Sequence, residues 1–389
     1  MNNFIYDLST KIYFGKGQIE NLPTEIKKHG TKVLFLYGKN SIKKIGLYDE
    51  AIKLLNENNI EFFELAGVDP NPRLSTVKEG SRLCRENNLD FILAIGGGST
   101  IDCAKAIAVD VFYEGDTWND LYKFGKIDTI KKVLPVGSIL TLAATGSEMN
   151  RNTVISNEET EEKYGLGCDL LKPKFSILDP TYTFSVPKNQ TAAGCADILS
   201  HLFEQYFNPI KKGFVSARIG EAIMKTVIEY APIALKEPDN YEARANLMWA
   251  GTVALNGTAS AGKPGDWSVH GMEHELSAKY DITHGVGLAI LTPRWMEYVM
   301  NDENVYRLAD YARNVWGSRE EDDKAAAKEG IAKTKDFFLS LGIPMTLKEV
   351  GINEDRLAEM AKKATEFYKI GAMKNMDWQD VYNIYKMSL

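Results

Sequence analysis

Four of the five histidines in this chain are His201, His270, His274 and His284, while His29 lies far upstream. Asp197 precedes His201 by four residues, and His270 precedes His274 by the same interval. In a helix, residues four apart share a face, with about 5–6 Å between their Cβ atoms. Asp197 and His201 therefore offer a carboxylate and an imidazole to one point in space, a bite that a divalent cation can close. One carboxylate with two or three imidazoles is a donor set for zinc or ferrous iron. No cysteine joins the set to soften it.

A second chemistry-bearing segment lies upstream. Gly96-Gly97-Gly98-Ser99 follows the apolar run 91–95 and precedes a helical pattern over 100–109. Successive glycines let the backbone approach a pyrophosphate, and a helix N-terminus supplies free N–H donors. The usual dinucleotide fingerprint is incomplete because Ile101 fills its third glycine position, and no Gly-Lys-Ser/Thr follows as in a Walker loop. A tight strand-to-helix turn would use the same glycines. The polar turn Thr141-Leu-Ala-Ala-Thr145-Gly146-Ser147-Glu148 follows another apolar run and would add donors to the same crevice. Locally, Thr145 and Glu148 also have the spacing of a capping box.

These residues need a frame. Apolar strands at 32–37, 60–65, 91–95, 133–139 and 175–178 alternate with amphipathic segments near 47–58, 76–86 and 100–109. That alternation predicts βαβ units and a parallel sheet. After Pro187 the period changes: 192–207, 216–235, 241–255 and 324–341 carry apolar residues at helical spacing, and the charged stretch from Ser318 to Lys324 reads as a helix start. The expected organisation is an α/β Rossmann-like dinucleotide-binding domain over 1–185 and an all-α metal-binding domain over 186–389, with the active site in the cleft between them.

Bulk properties narrow the function. A chain of 389 residues exceeds one ordinary core, and 44% hydrophobic with 25% charged residues is a globular composition. The net charge of −7 argues against a nucleic-acid partner, which would require phosphate neutralisation. Cys84, Cys103, Cys168 and Cys195 form no CxxC pair, consistent with reduced thiols and a cytoplasmic setting. Neither a secretory leader nor a continuous apolar span is visible, so no membrane partner is expected.

Taken in order, Gly96-Gly-Gly-Ser-x-x-Asp102-x-x-Lys105, Thr141-x3-Thr145-Gly-Ser-Glu, Leu178-Asp-Pro180, Asp197-x3-His201, His270-x3-His274 and His284-Gly resemble the iron-containing (group III) alcohol dehydrogenase family. Within it, the similarity points to the butanol dehydrogenase and NADPH-dependent aldehyde reductase branch and covers essentially the whole chain. The resemblance implies that Asp197, His201, His270 and His284 bind one divalent metal, Fe2+ or Zn2+, with iron preferred on family grounds. It implies that Gly96, Gly97, Gly98 and Ser99 hold the pyrophosphate, that Asp102, Thr141 and Thr145 line the coenzyme cleft, and that His274 lies beside the nicotinamide, outside the metal's own donors. His274 is then a candidate catalytic proton relay, or else packs against the coenzyme. The implied reaction moves hydride between a nicotinamide coenzyme and a small primary alcohol or aldehyde, in a homodimer. Trp267 is expected to wall the substrate pocket.

NAD-selective enzymes place an acid on the adenosine 2′-hydroxyl. Here the strand 32–37 ends in Gly38-Lys39-Asn40-Ser41, without an acid at the turn. Ser41 could bond a 2′-phosphate and Lys39, Lys43 or Lys44 supply charge, so NADPH is expected to be preferred, with NADH possible. Two other functions compete. His270-Gly-Met-Glu273-His274 fits the H-x-x-E-H pattern of a zinc metallopeptidase, with Glu273 as general base. A non-catalytic nucleotide-binding protein with a structural metal is the other, although structural sites more commonly recruit cysteines.

Overall fold

The computed structural model describes residues 1–210 and 213–389. They form two compact units, one from Asp7–Val186 with Asp239–Thr252, the other from Met1–Tyr6, Pro187–Pro238 and Val253–Leu389.

The first unit is built on eight strands: β1 (Lys11–Phe14), β2 (Lys32–Tyr37), β3 (Glu61–Leu65), β4 (Phe91–Gly96), β5 (Val136–Leu140), β6 (Asn152–Asn157), β7 (Glu162–Gly167) and β8 (Phe175–Leu178). Six of them form a sheet in the order β1-β8-β5-β4-β2-β3, with every neighbouring pair parallel. Helices α1 (Leu22–Ile26), α2 (Ser41–Lys44), α3 (Leu47–Glu57), α4 (Leu74–Asn87) and α5 (Gly98–Asp110) follow in the same unit. Strand side chains alternate between faces. Here Val33, Phe35, Leu93 and Ile95 join one apolar cluster with Leu47, Ala51 and Leu55 of α3. Leu34, Leu36, Ile92 and Ala94 join the other with Ile101, Ala104 and Ile107 of α5. Both faces are covered, which is why the central strands read as unbroken apolar runs. The α/β reading of the first part of the chain holds.

Two features were not legible. β1 is a four-residue edge strand, exposed at both ends, whose apolar run is only three residues, Ile12 to Phe14. The antiparallel hairpin β6–β7 stands outside the six-stranded sheet, touching the backbone before α4 only through a bridge from Ser156 to Arg73, and has the polar sequences NTVISN and EKYGLG.

Beyond Pro187 the chain is helical: α6 (Lys188–Tyr206), α7 (Phe214–Lys236), α8 (Tyr241–Ala254), α9 (Ser268–Tyr280), α10 (His284–Val299), α11 (Val305–Trp316), α12 (Asp323–Ser340), α13 (Leu357–Ala364) and α14 (Trp378–Met387). All but α8, which falls largely in the first unit, belong to the second. The charged stretch before α12 does start a helix, with the Asp322 carboxylate accepting the Ala325 N–H at 2.8 Å. Phe203, Phe207, Trp295 and Tyr311 pack ring against ring at the core of this unit, with contacts at 5.4–6.0 Å. No helix among the described residues is long and apolar enough to cross a membrane.

Candidate active site

The metal-type residues gather inside the second unit, where α6 carries Asp197 and His201, α9 carries His270 and α10 begins with His284. Asp197 Oδ1 lies 3.6 Å from His201 Nδ1, 4.0 Å from His270 Nε2 and 3.8 Å from His284 Nε2. These separations exceed hydrogen-bond length. They suit donors around one ion, since two bonds of about 2.1 Å in a tetrahedron put their donor atoms roughly 3.4 Å apart. Asp197 Oδ1, His201 Nδ1 and His270 Nε2 are buried and have no hydrogen-bond partner. Three orphaned polar atoms facing one another would each carry a desolvation cost of about 1–3 kcal/mol. A cation among them removes that cost, so the residues present fit a divalent metal. Burial holds the His201 imidazole down at about pKa 3, against the opposing pull of Asp197, so its lone pair is free at neutral pH.

On His270 and His284 the other ring nitrogen is held from outside. His270 Nδ1 is 3.1 Å from Glu204 Oε1, which also accepts the His270 backbone N–H at 2.8 Å. His284 Nδ1 pairs with Glu273 Oε2, and Ser277 Oγ donates to Glu273 Oε1. Two helix contacts set the spacing. Gly285 lies so close to α6 that a β-carbon there would stand 2.0 Å from the Ala193 carbonyl oxygen, one turn before Asp197. Gly287 gives the same kind of room to Glu273, with a β-carbon 2.8 Å from Glu273 Cγ.

Trp267, the residue before α9, adopts a left-handed backbone (φ 59°), costly for a bulky side chain. Its indole lies 5.4 Å from the His270 ring, and the residue is 40% exposed. The neighbouring Asp266 is buried and accepts the backbone N–H groups of Ser268, Ala372 and Met373 at 3.2, 2.6 and 2.7 Å. His274, half-buried, sits one turn beyond His270 with its ring 5.9 Å from that of His284.

In the first unit the glycine loop joins β4 to α5, and the two polar motifs meet. A β-carbon at Gly98 would stand 2.3 Å from Thr145 Oγ1, one at Gly96 2.3 Å from Thr100 Oγ1, and one at Gly97 3.2 Å from Leu142 Cβ. Thr141 N–H donates to the Gly96 carbonyl at 3.0 Å. No side chain caps the start of α5. Ser99 and Thr145 are half-buried there and Thr141 buried. The expected capping box does not form: no helix starts at Thr145, whose hydroxyl accepts the Ser147 N–H at 3.1 Å, while buried Glu148 takes the Thr252 hydroxyl. The Asp102 carboxylate is occupied by protein donors, Ser147 Oγ at 2.5 Å and Val154 N–H at 2.9 Å, and so braces the loop from beneath. Gly38 closes β2, and Ser41 is exposed at the start of α2. Lys39 Nζ is 2.8 Å from Asp69 Oδ1, and Lys43 lies over the Tyr48 ring at 4.5 Å.

Comparison with known proteins decides the family. Residues 9–180 match the model of the iron-containing alcohol dehydrogenases, and residues 191–389 match the C-terminal model of the same family. The chain belongs to the iron-containing alcohol dehydrogenase family. It is therefore an enzyme, an oxidoreductase of the NAD(P)-dependent alcohol dehydrogenase and aldehyde reductase class. It is 56% identical to NADH-dependent butanol dehydrogenase A of Clostridium acetobutylicum, with 100% of both chains covered. It is 40% identical to the NADPH-dependent aldehyde reductase YqhD of Escherichia coli over 94% of each. The crystal structure of NADH-dependent butanol dehydrogenase A from Thermotoga maritima superposes with a TM-score of 0.95 at 40% identity, covering 100% of this chain and 99% of that one.

In this alcohol dehydrogenase the peptidase reading falls away. Glu273 is fully buried and spends its carboxylate on His284 and Ser277, so it has no room for a nucleophilic water. Sequence reasoning missed Glu204 and the interior placement of Lys105 and Lys163. Glu204 falls seven residues after Asp197, on the helical face that Asp197 and His201 define, and that spacing was the available signal. Lys105, fully buried in α5, donates to Ser147 Oγ, Asn150 O, Asn150 Oδ1 and Asn152 O at 2.8–3.1 Å. Lys163 donates to Asn71 Oδ1 at 2.9 Å. A lysine in sequence reads as surface, and nothing local marks these two as interior.

Proposed function

We propose that this enzyme catalyses metal-dependent, reversible reduction of small unbranched aldehydes to primary alcohols, in the manner of a butanol dehydrogenase. The observation that carries the reading is the set of three buried, partnerless donor atoms centred on Asp197 Oδ1. When bound, the nicotinamide supplies the hydride and a divalent ion, iron first and zinc second, supplies a positive charge where negative charge builds on the substrate oxygen.

The chain's own residues do the rest. Asp197, His201, His270 and His284 hold the ion. Gly96, Gly97, Gly98 and Ser99, with the first amides of α5, bind pyrophosphate, and Thr141 and Thr145 shape the adjoining wall. Asp102 contributes by fixing Ser147 and β6. His274 passes a proton to the product oxygen, and Trp267 limits the width of the substrate. The coenzyme half is the unit of Asp7–Val186 with Asp239–Thr252, and the metal half is the unit of the remaining segments. A homodimer is proposed from the family resemblance, and a cytoplasmic setting from the four free thiols.

For the coenzyme, the turn after β2 supported NADPH. A specific observation favours a second reading. Asp69 already neutralises Lys39 and Lys43 is engaged with an aromatic ring, which leaves Ser41 and Lys44 as the uncommitted phosphate partners. The relative at 56% identity is also named NADH-dependent. We infer that NADH serves at least as well as NADPH.

The test is stripping the enzyme with a chelator and assaying butyraldehyde reduction. Activity should vanish and return with Fe2+ or Zn2+, and Asp197→Asn should bind little metal. Full activity in the stripped enzyme would overturn the reading.

A further inference from the structure

Both carboxylates that touch the histidine donors come from elements other than the donor's own. Glu204, on α6, holds His270 of α9, and Glu273, on α9, holds His284 of α10. The result is a chain of braces that runs from α6 to α9 to α10, each link made of one carboxylate and one imidazole. Glu204 and Glu273 are 1% and 0% exposed, so no bulk water competes for either bond.

The chemistry of the pairing fixes the proton. A carboxylate oxygen can only accept, so the Nδ1 of each ring facing it must carry hydrogen. A neutral imidazole has one N–H, and Nε2 is then left with its lone pair. In both rings Nε2 is the nitrogen turned toward Asp197 Oδ1, at 4.0 and 3.8 Å. The Glu204 brace is doubled by the His270 backbone N–H on the same oxygen, which ties the ring to the first turn of α9. Glu273 is steadied in turn by Ser277.

We propose that Glu204 and Glu273 are positioning residues that set the tautomer and aim of His270 and His284 before any metal arrives, so that the site is preorganised and its affinity depends on them. This inference rests on the metal-centre reading above. Outer carboxylates of this kind are worth 10–100-fold in metal affinity where they have been removed from other proteins.

The experiment measures zinc affinity against a competing chelator for the full-length wild type, Glu204→Gln, Glu273→Gln and Asp197→Asn, with thermal denaturation of each metal-free protein as the folding control. Glutamine keeps the size and an acceptor oxygen but loses the charge. Each Gln variant should bind zinc 10–100-fold more weakly than wild type while still folding. In parallel, ring-nitrogen NMR of the metal-free wild type, a simple spectrum with five histidines, should show His270 and His284 protonated on Nδ1. Wild-type zinc affinity in both Gln variants, or an Nε2–H form at both rings, overturns the positioning role and leaves the metal centre standing. Failure of the wild type itself to bind zinc or iron stoichiometrically removes the metal centre instead. A Gln variant that does not fold is replaced by Glu→Asp, which keeps the charge and shortens the reach, with the NMR tautomer as its readout.

Discussion

Substituting Gly285 with alanine tests whether the contact between α6 and α10 sets the metal cage. A β-carbon at this position stands 2.0 Å from the Ala193 oxygen and 2.7 Å from its carbonyl carbon. Carbon and oxygen without a covalent bond rest about 3.3 Å apart, so α10 must withdraw by about 1.3 Å. The obstacle is backbone, so no side-chain rotation relieves it. The stability cost belongs at the upper end of the about 1–3 kcal/mol typical of overpacking. The effect on the cage is larger in proportion. His284 is next to Gly285, and its Nε2 would move from 3.8 Å to roughly 5 Å from Asp197 Oδ1, whereas two donors sharing an ion through bonds of about 2.1 Å cannot be more than roughly 4.2 Å apart. Gly285→Ala should therefore lose one of four donors, with bound metal after dialysis well below stoichiometric and aldehyde reduction down at least tenfold. Metal analysis, denaturation and steady-state kinetics read the three effects. Stoichiometric metal with turnover within twofold of wild type would refute the reasoning.

Other outcomes follow from features of the first unit. Gly98→Ala places a methyl 2.3 Å from Thr145 Oγ1, so the KM for coenzyme should rise on the order of tenfold with a smaller change in kcat; an unchanged KM would separate the loop from the coenzyme. Catalytic efficiency with NADH should equal or exceed that with NADPH, and Asp69→Asn, which frees Lys39, should move the ratio severalfold toward NADPH; an unmoved ratio would count against a role for this turn. Glu25 gives a pH effect. Burial pushes its carboxyl up, but hydrogen bonds from Lys28, Tyr13 and Lys11 outweigh this and hold it at about 2. With the folded value below the unfolded one, Glu25 contributes stability that is complete above about pH 4.5 and lost as pH falls toward 2. Denaturant titrations of Glu25→Gln should show a shallower loss of stability across that window, and a slope equal to wild type would dismiss the effect.

The sheet was legible because its central strands are buried on both faces, which leaves uninterrupted apolar runs such as 32–37 and 91–95. The cluster of Asp197 with His201, His270 and His284 was legible because Asp197 and His201 keep helical spacing and histidine is scarce. What could not be read depends on partners distant in sequence. Glu204 looks like any helix carboxylate until His270 arrives from 66 residues away. Lys105 takes its acceptors from a segment more than 40 residues later. The edge strand β1 has only one neighbour and a half-exposed pattern, so burial left little mark on its sequence.

The placement of α8 bears on how the protein is made. Asp239–Thr252 belongs to the unit of the parallel sheet, where Met248 joins the same apolar cluster as Ile92 and Ile107, and Thr252 bonds to buried Glu148. A ribosome that has finished residue 186 has therefore not finished that unit. At 5–20 residues per second the stretch through Thr252 needs on the order of 3–13 s more, during which the Met248 position stays open and Glu148 lacks its hydroxyl partner. A fragment ending near residue 186 should be correspondingly prone to aggregate. The opposite delay holds at the N-terminus. Asn2 and Tyr6 wait for Gly262 and Thr258, so these residues find their partners only after more than 250 further residues have been made.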